Sequence, residues 1–157
     1  MTMTTERLSP TSLRVTRRFA APPALVWQAH TDPDLIRRWL FGPDGWVLTR
    51  CEHDARPGGK MFYRWEMEDG SGGFELTGEV LEVDPPHRMK HVEIMHLPDP
   101  TPPNTVVTRF IADGSGTLMD MVMTVDDAAT MEAMIATGMT EGMEASYTRL
   151  DGLGLGS

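Results

Sequence analysis

At 157 residues, with 40% apolar and 24% charged side chains, the chain has the size and mix of a single globular domain, which excludes a largely disordered chain. Acidic groups outnumber basic ones 23 to 14, and the formal charge of −9 repels nucleic acid and anionic membrane; no basic stripe offsets it. A lone cysteine, Cys51, rules out an internal disulfide, no apolar run approaches the roughly 18 residues of a membrane span, and MTMTTERLSP lacks the apolar stretch of a signal peptide, so a cytoplasmic location is expected.

In chain order, residues 1–11 are polar, contain Pro10 and read as a disordered or extended start. SLRVTRRF alternates, with Leu13, Val15, Arg17 and Phe19 on one side of a strand. Arg14, Arg17, Arg18, Arg37 and Arg38 are scattered among apolar positions, and their expected place is a solvated face. Pro22 and Pro23, then Asp32 and Pro33, are helix-start signals, because a first-turn proline gives up an N–H that has no helical partner. Two short helices follow, near 22–31 and 33–40.

From Trp46 onward the pattern is strand after strand: WVLTRCEHD, KMFYRWEME, FELTGEVLEV, RMKHVEIMHL, NTVVTRFIAD and TLMDMVMTV. DGSGG at 69–73 and DGSG at 113–116 suit hairpin turns, DPPH at 84–87 a stiffer corner, and PDPTPPN at 98–104 a longer loop. Counting the first strand, seven antiparallel strands are expected. DARPGGK at 54–60 ends like a phosphate-binding loop, but it joins two strands, whereas a phosphate cradle should open a helix. It therefore reads as a hairpin turn.

The last segment, from Asp126, has no proline and sets Met131, Met134, Ile135, Gly138, Gly142, Ala145 and Ser146 at helical spacing, which predicts one long helix of about 24 residues covering the sheet. Asp126 or Asp127 can cap it, and Arg149 suits its negative end. Gly138 and Gly142 each cost roughly 1 kcal/mol of helix propensity, so they are expected to allow close packing or leave room for something beside the helix. The fold class is α+β, with a single domain at 12–153 and a flexible tail at 154–157.

Common catalytic and nucleotide-binding signatures are absent, including G-x-S-x-G, H-E-x-x-H and C-x-x-C. Cys51 and His53 share a strand face, but two ligands do not close a metal site, and neither metal nor cofactor is expected. His91 and Glu93 share a face with Met89 and Met95, while Val92 and Ile94 occupy the other. Alternation leaves open which face points inward; if inward, the pair could act as acid and base or orient a ligand. The 13 methionines are the clearest compositional signal. Met119, Met121 and Met123 alternate with Asp120 and should face inward, Met131, Met134, Met139 and Met143 follow in the helical segment, and Met61, Tyr63, Trp65 and Met67 form another inward set. Trp39 and Phe41 could form a rim.

The order of elements resembles the START-like, or helix-grip (SRPBCC), superfamily. The phrases RRFAAPPALVWQAHTDPDLIRRWL, HDARPGGKMFYRWE, GEVLEVDPPHRM, GTLMDMVM and GMTEGMEASYTRLDGL resemble its branch of homologues of the activator of the heat-shock-protein-90 ATPase, over about residues 14–153. The chain departs from that branch at Met143, where tryptophan is frequent, and at His91 and Glu93, where aromatic residues are commoner.

The resemblance implies a curved sheet gripping the final helix around an apolar cavity. The residues expected to line it are Trp39, Met61, Tyr63, Trp65, Phe74, Leu76, His91, Glu93, Phe110, Met119, Met121, Met123, Met134 and Gly138. The expected function is binding of a small apolar or aromatic molecule, such as a lipid or polyketide, without known catalysis. The alternatives are a cyclase or hydrolase acting on a cavity-bound substrate, and a protein-interaction module such as a regulator of a chaperone ATPase, with a role in stress response. A homodimer formed through the last strand or the proline loop is a further expectation.

Overall fold

The computed structural model describes residues 3–97 and 99–155. Strands β1 (Thr4–Ser9) and β2 (Ser12–Phe19) precede helices α1 (Pro23–Thr31) and α2 (Pro33–Ile36). Six strands follow: β3 (Trp46–His53), β4 (Lys60–Met67), β5 (Gly73–Asp84), β6 (Arg88–His96), β7 (Asn104–Asp113) and β8 (Gly116–Thr124). Helices α3 (Ala128–Ala136) and α4 (Met139–Asp151) end the fold. All eight strands join one antiparallel sheet in the order β1-β2-β8-β7-β6-β5-β4-β3.

The strand count corrects the expected seven. β1 lies in the segment read as a disordered or extended start, and it pairs with β2 from Thr4 opposite Thr16 to Ser9 opposite Ser12. All six of its residues are exposed, so it carries no apolar alternation that a sequence pattern could register. β8 lies between β2 and β7, with Ser12 opposite Thr124 and Phe19 opposite Thr117. A strand paired on both sides has no free backbone row, so the last strand cannot supply the self-complementary edge expected of it. The sheet edges are β1 and β3.

The expected single long helix is two. α3 is capped by Asp127, whose carboxylate accepts from Thr130 N at 2.7 Å, and it ends at Ala136, with Thr137 as its C-cap. Gly138 then takes φ +80°, the left-handed conformation that interrupts a helix and that glycine adopts without a Cβ penalty, and α4 starts at the next residue. Gly138 is exposed, and an added Cβ would approach only Glu141 Oε2, at 3.7 Å; it is a joint and not a packing surface. Gly142 is half-buried, with no atom within 4 Å of an ideal Cβ, so it leaves open space beside α4.

DARPGGK is the hairpin turn between β3 and β4. Gly58 N donates to Val80 O at 2.8 Å and Val80 N to Gly59 O at 2.9 Å, which docks the turn onto β5. A Cβ on Gly59 would lie 2.0 Å from Asp54 O, so the tight backbone packing itself requires the second glycine.

The inner face divides into two apolar clusters. One joins β2, β7 and β8 to α1, α3 and α4 through Val15, Phe19, Val26, Phe110, Met119, Met131 and Tyr147. The other lies over β3 to β6 and contains Ile36, Cys51, Met61, Tyr63, Trp65, Leu76 and Val80. Trp27 and Leu40 pack against both. The helices thus close over the β2–β8–β7 side, while α2 and its following turns reach β3.

Candidate functional site

β6 presents Met89, His91, Glu93 and Met95 to the inner face, with Met89 and His91 buried, which answers the question that alternation leaves open. Strand register aligns His53, Met61, Gly78, Glu93 and Asn104 as successive cross-strand neighbours from β3 to β7. The row crosses the region between the two apolar clusters. The Glu93 side chain, on the inner face of β6, is 20% exposed.

Two hydrogen-bonded pairs occupy this region. Glu93 Oε1 accepts from His91 Nε2 at 2.8 Å. His53 Nδ1 and the Tyr63 hydroxyl are 2.7 Å apart, with the rings stacked. His91 Nδ1, His53 Nε2 and Asn104 Oδ1 are buried polar atoms without a hydrogen-bond partner. Such groups are few in a native interior, and here two of them fall on the adjacent strands β6 and β7.

Burial pushes the His53 imidazole down to about 4, helped by the nearby charges of His91 and His30. His30 falls to about 4 for the same main reason, burial, despite the hydrogen bond between its Nδ1 and Val26 O at 2.8 Å. Its ring sits among Phe19, Trp39, Phe110 and Tyr147, as a histidine held in an aromatic core. Tyr63 and Tyr147 are raised chiefly by burial, and the charge of Glu93 adds to both.

Arg17 does not belong to a solvated face. Its side chain is fully buried, pairs with Asp151 at 2.8 Å and Glu144 at 3.2 Å, and lies over the rings of Phe19 and Tyr147. The reason is its register: it shares the inward side of β2 with Val15 and Phe19, and α4 brings two carboxylates over that position. Arg149 reaches the 42–44 loop, donating to Gly42 O and to Asp44 Oδ1 at 2.6 Å.

The residues expected to line a cavity fall into several groups. Met61, Tyr63, Trp65 and Leu76 are buried in one cluster, and Phe110, Met119 and Met123 in the other. Met121 and Met134 are half-buried at the edge of the latter. Phe74 is half-buried and stacks on Trp65 at 5.0 Å. Trp39 is no rim: it is buried, stacks on Tyr147 at 5.7 Å, and donates its Nε1–H to Ala29 O at 2.9 Å. Gly138 stands apart at the helix joint. His30, Arg17, Asn104 and Tyr147 are inner-face groups that sequence reasoning did not single out; for Arg17 the alternation of β2 held the signal.

Cys51 is buried, and burial raises its thiol to about 11, opposing thiolate chemistry at neutral pH. Among the described residues no group of three His, Cys, Asp or Glu could hold a metal ion, and no helix is long and apolar enough to cross a membrane. A cleft of about 460 Å³ lies on the opposite, convex face, where Thr77, Val92 and Ile94 meet Lys60 and Pro103.

Comparison with known proteins agrees with this architecture. No curated protein matches the chain. A solved structure from Rhodobacter sphaeroides is 30% identical with a TM-score of 0.91, covering 98% of this chain and 97% of its own. One from Mycobacterium smegmatis is 28% identical with a TM-score of 0.85, covering 96% of each chain. An AHSA1-like protein from Aeromonas hydrophila, 24% identical with a TM-score of 0.72 over 90% of this chain and 94% of its own, shares the fold. The model of the family described as Activator of Hsp90 ATPase homolog 1-like protein matches residues 20–154. The chain belongs to that family, a branch of the START-like helix-grip proteins, whose fold is commonly a scaffold for binding ligands.

Proposed function

We propose that this protein binds a small, largely apolar molecule on the concave face of its sheet, between β6 and α4. The observation that carries the reading is Glu93, an ionisable group on an inward face, flanked by strands on both sides and still 20% exposed. Half-buried Met95 lies two residues along the same face of β6, and Met61 lies in the same cross-strand row as Glu93. Flexible thioethers can repack around guests of different shape. The open space beside Gly142 is on α4, the covering helix.

A thermal-shift screen with neutral aromatic and aliphatic molecules tests the proposal. Concentration-dependent stabilisation by at least one class is expected, because a ligand that binds only the folded state raises its stability. Indifference to every class would overturn it. A second reading, acid–base catalysis on the bound molecule, draws support from the 2.8 Å contact between His91 and Glu93, since a coupled imidazole and carboxylate can pass a proton. In that case H91N and E93Q would abolish turnover while leaving binding within a few-fold.

A further inference from the structure

The chemistry of the concave region specifies the kind of head group it would accept; this inference rests on the binding reading above. Among Glu93, His91 and Asn104, the least enclosed group is an acceptor, the Glu93 carboxylate. Glu93 uses Oε1 for His91 and has no described hydrogen bond at its other carboxylate oxygen, and His91 Nδ1 is buried without a partner. Asn104, opposite Glu93 on β7, has a buried Oδ1 without one.

Most donors nearby are committed, apart from the Asn104 amide N–H and one proton of the His53–Tyr63 pair. The Trp39 and Trp65 indoles donate to Ala29 O and Leu40 O, the latter at 2.7 Å, and Tyr63 is engaged with His53. Arg17, the buried cation, is outnumbered by its two carboxylates. A ligand carboxylate would enter beside the Glu93 carboxylate with no free cation to receive it, at the cost of desolvating a second anion. A hydroxyl or ammonium would supply the missing donor.

We propose that the concave-face site selects apolar molecules whose head group is a hydrogen-bond donor, an alcohol, phenol or protonated amine, and rejects carboxylates of the same size. Leaving a site's buried acceptors unpaired is a strong basis for discrimination.

Calorimetric titration near neutral pH with 2-naphthalenemethanol, 2-naphthylmethylamine and 2-naphthoate tests this, because the three share a ring system and differ in the head. The alcohol and amine should bind at least about tenfold more tightly than the carboxylate, the scale of selectivity set by a mismatched polar contact. Glu93→Gln should weaken the amine, strengthen the naphthoate and bring their ratio close to one. Naphthoate binding as tightly as the others, or a ratio unchanged in E93Q, would overturn the selectivity while leaving the binding reading in place. If none of the three binds and the broader screen is also silent, both fall. Should E93Q lose its fold by circular dichroism, the wild-type ratio alone decides.

Discussion

Arg17 and Asp151 form a two-point ion pair, Nη1 to Oδ1 at 3.0 Å and Nη2 to Oδ2 at 2.8 Å, that ties the second strand to the last turn of the final helix. The two partners differ in burial: the arginine side chain is wholly enclosed, whereas Asp151 and Glu144 are 34% and 29% exposed. Removing the cation lets the carboxylates rehydrate. Removing both carboxylates leaves the buried cation without its two ion-pair partners, which costs about 3–5 kcal/mol. The double variant E144A/D151A should therefore lose more stability in urea unfolding than R17M, and the reverse order would contradict the role given to this pair.

Acid should weaken the fold through His30 and His53. Both imidazoles are pushed from the ordinary 6.5 down to about 4 by burial, so between these values the unfolded chain binds protons that the folded chain refuses. The stability contributed by keeping them neutral is complete above about pH 6.5 and is lost as pH falls toward 4. Each would remove on the order of 3 kcal/mol over that window. Denaturant midpoints measured across it should fall, and H53Q should fall less steeply. A flat profile would contradict the burial of both rings.

The joint between α3 and α4 gives two opposite expectations for the same substitution. Gly138→Ala places a side chain at φ +80° and should destabilise by about 1–2 kcal/mol. Gly142→Ala lies inside α4 with open space around the new methyl and should stabilise by about 0.5–1 kcal/mol. Thermal midpoints of the two variants check this; equal shifts would indicate one continuous helix.

Cys51 should resist a thiol reagent such as DTNB in native buffer and react promptly in denaturant, since its thiol is buried and raised to about 11. Rapid native labelling would place it elsewhere.

Much of the fold was legible because its strands are apolar on one side. β2 announced its inward residues by strict alternation, and Arg17, inside that pattern, followed the register despite its charge. β1 was illegible for the complementary reason: all its residues are exposed, and only backbone pairing with β2 makes it a strand. The helix break at Gly138 was hidden by continuous helical spacing through residues 131–146, while the glycine that signals it was read as a packing feature. For the candidate site, His91 and Glu93 could be named from sequence, but not their face. That depended on which side of β6 the helices cover, a property of the whole sheet. His30 and Tyr147 come together only in three dimensions, one from α1 and the other from α4.

The central claim is that a guest occupies the concave face beside Glu93, and methyl NMR on protein carrying ¹³C-methyl methionine tests it most directly. Adding 2-naphthalenemethanol should shift the resonances of Met61 and Met95, the methionines aligned with Glu93 on the sheet, through the ring current of the bound guest, with a common saturation curve. Unmoved methyls at these two positions with the probe in large excess would contradict it.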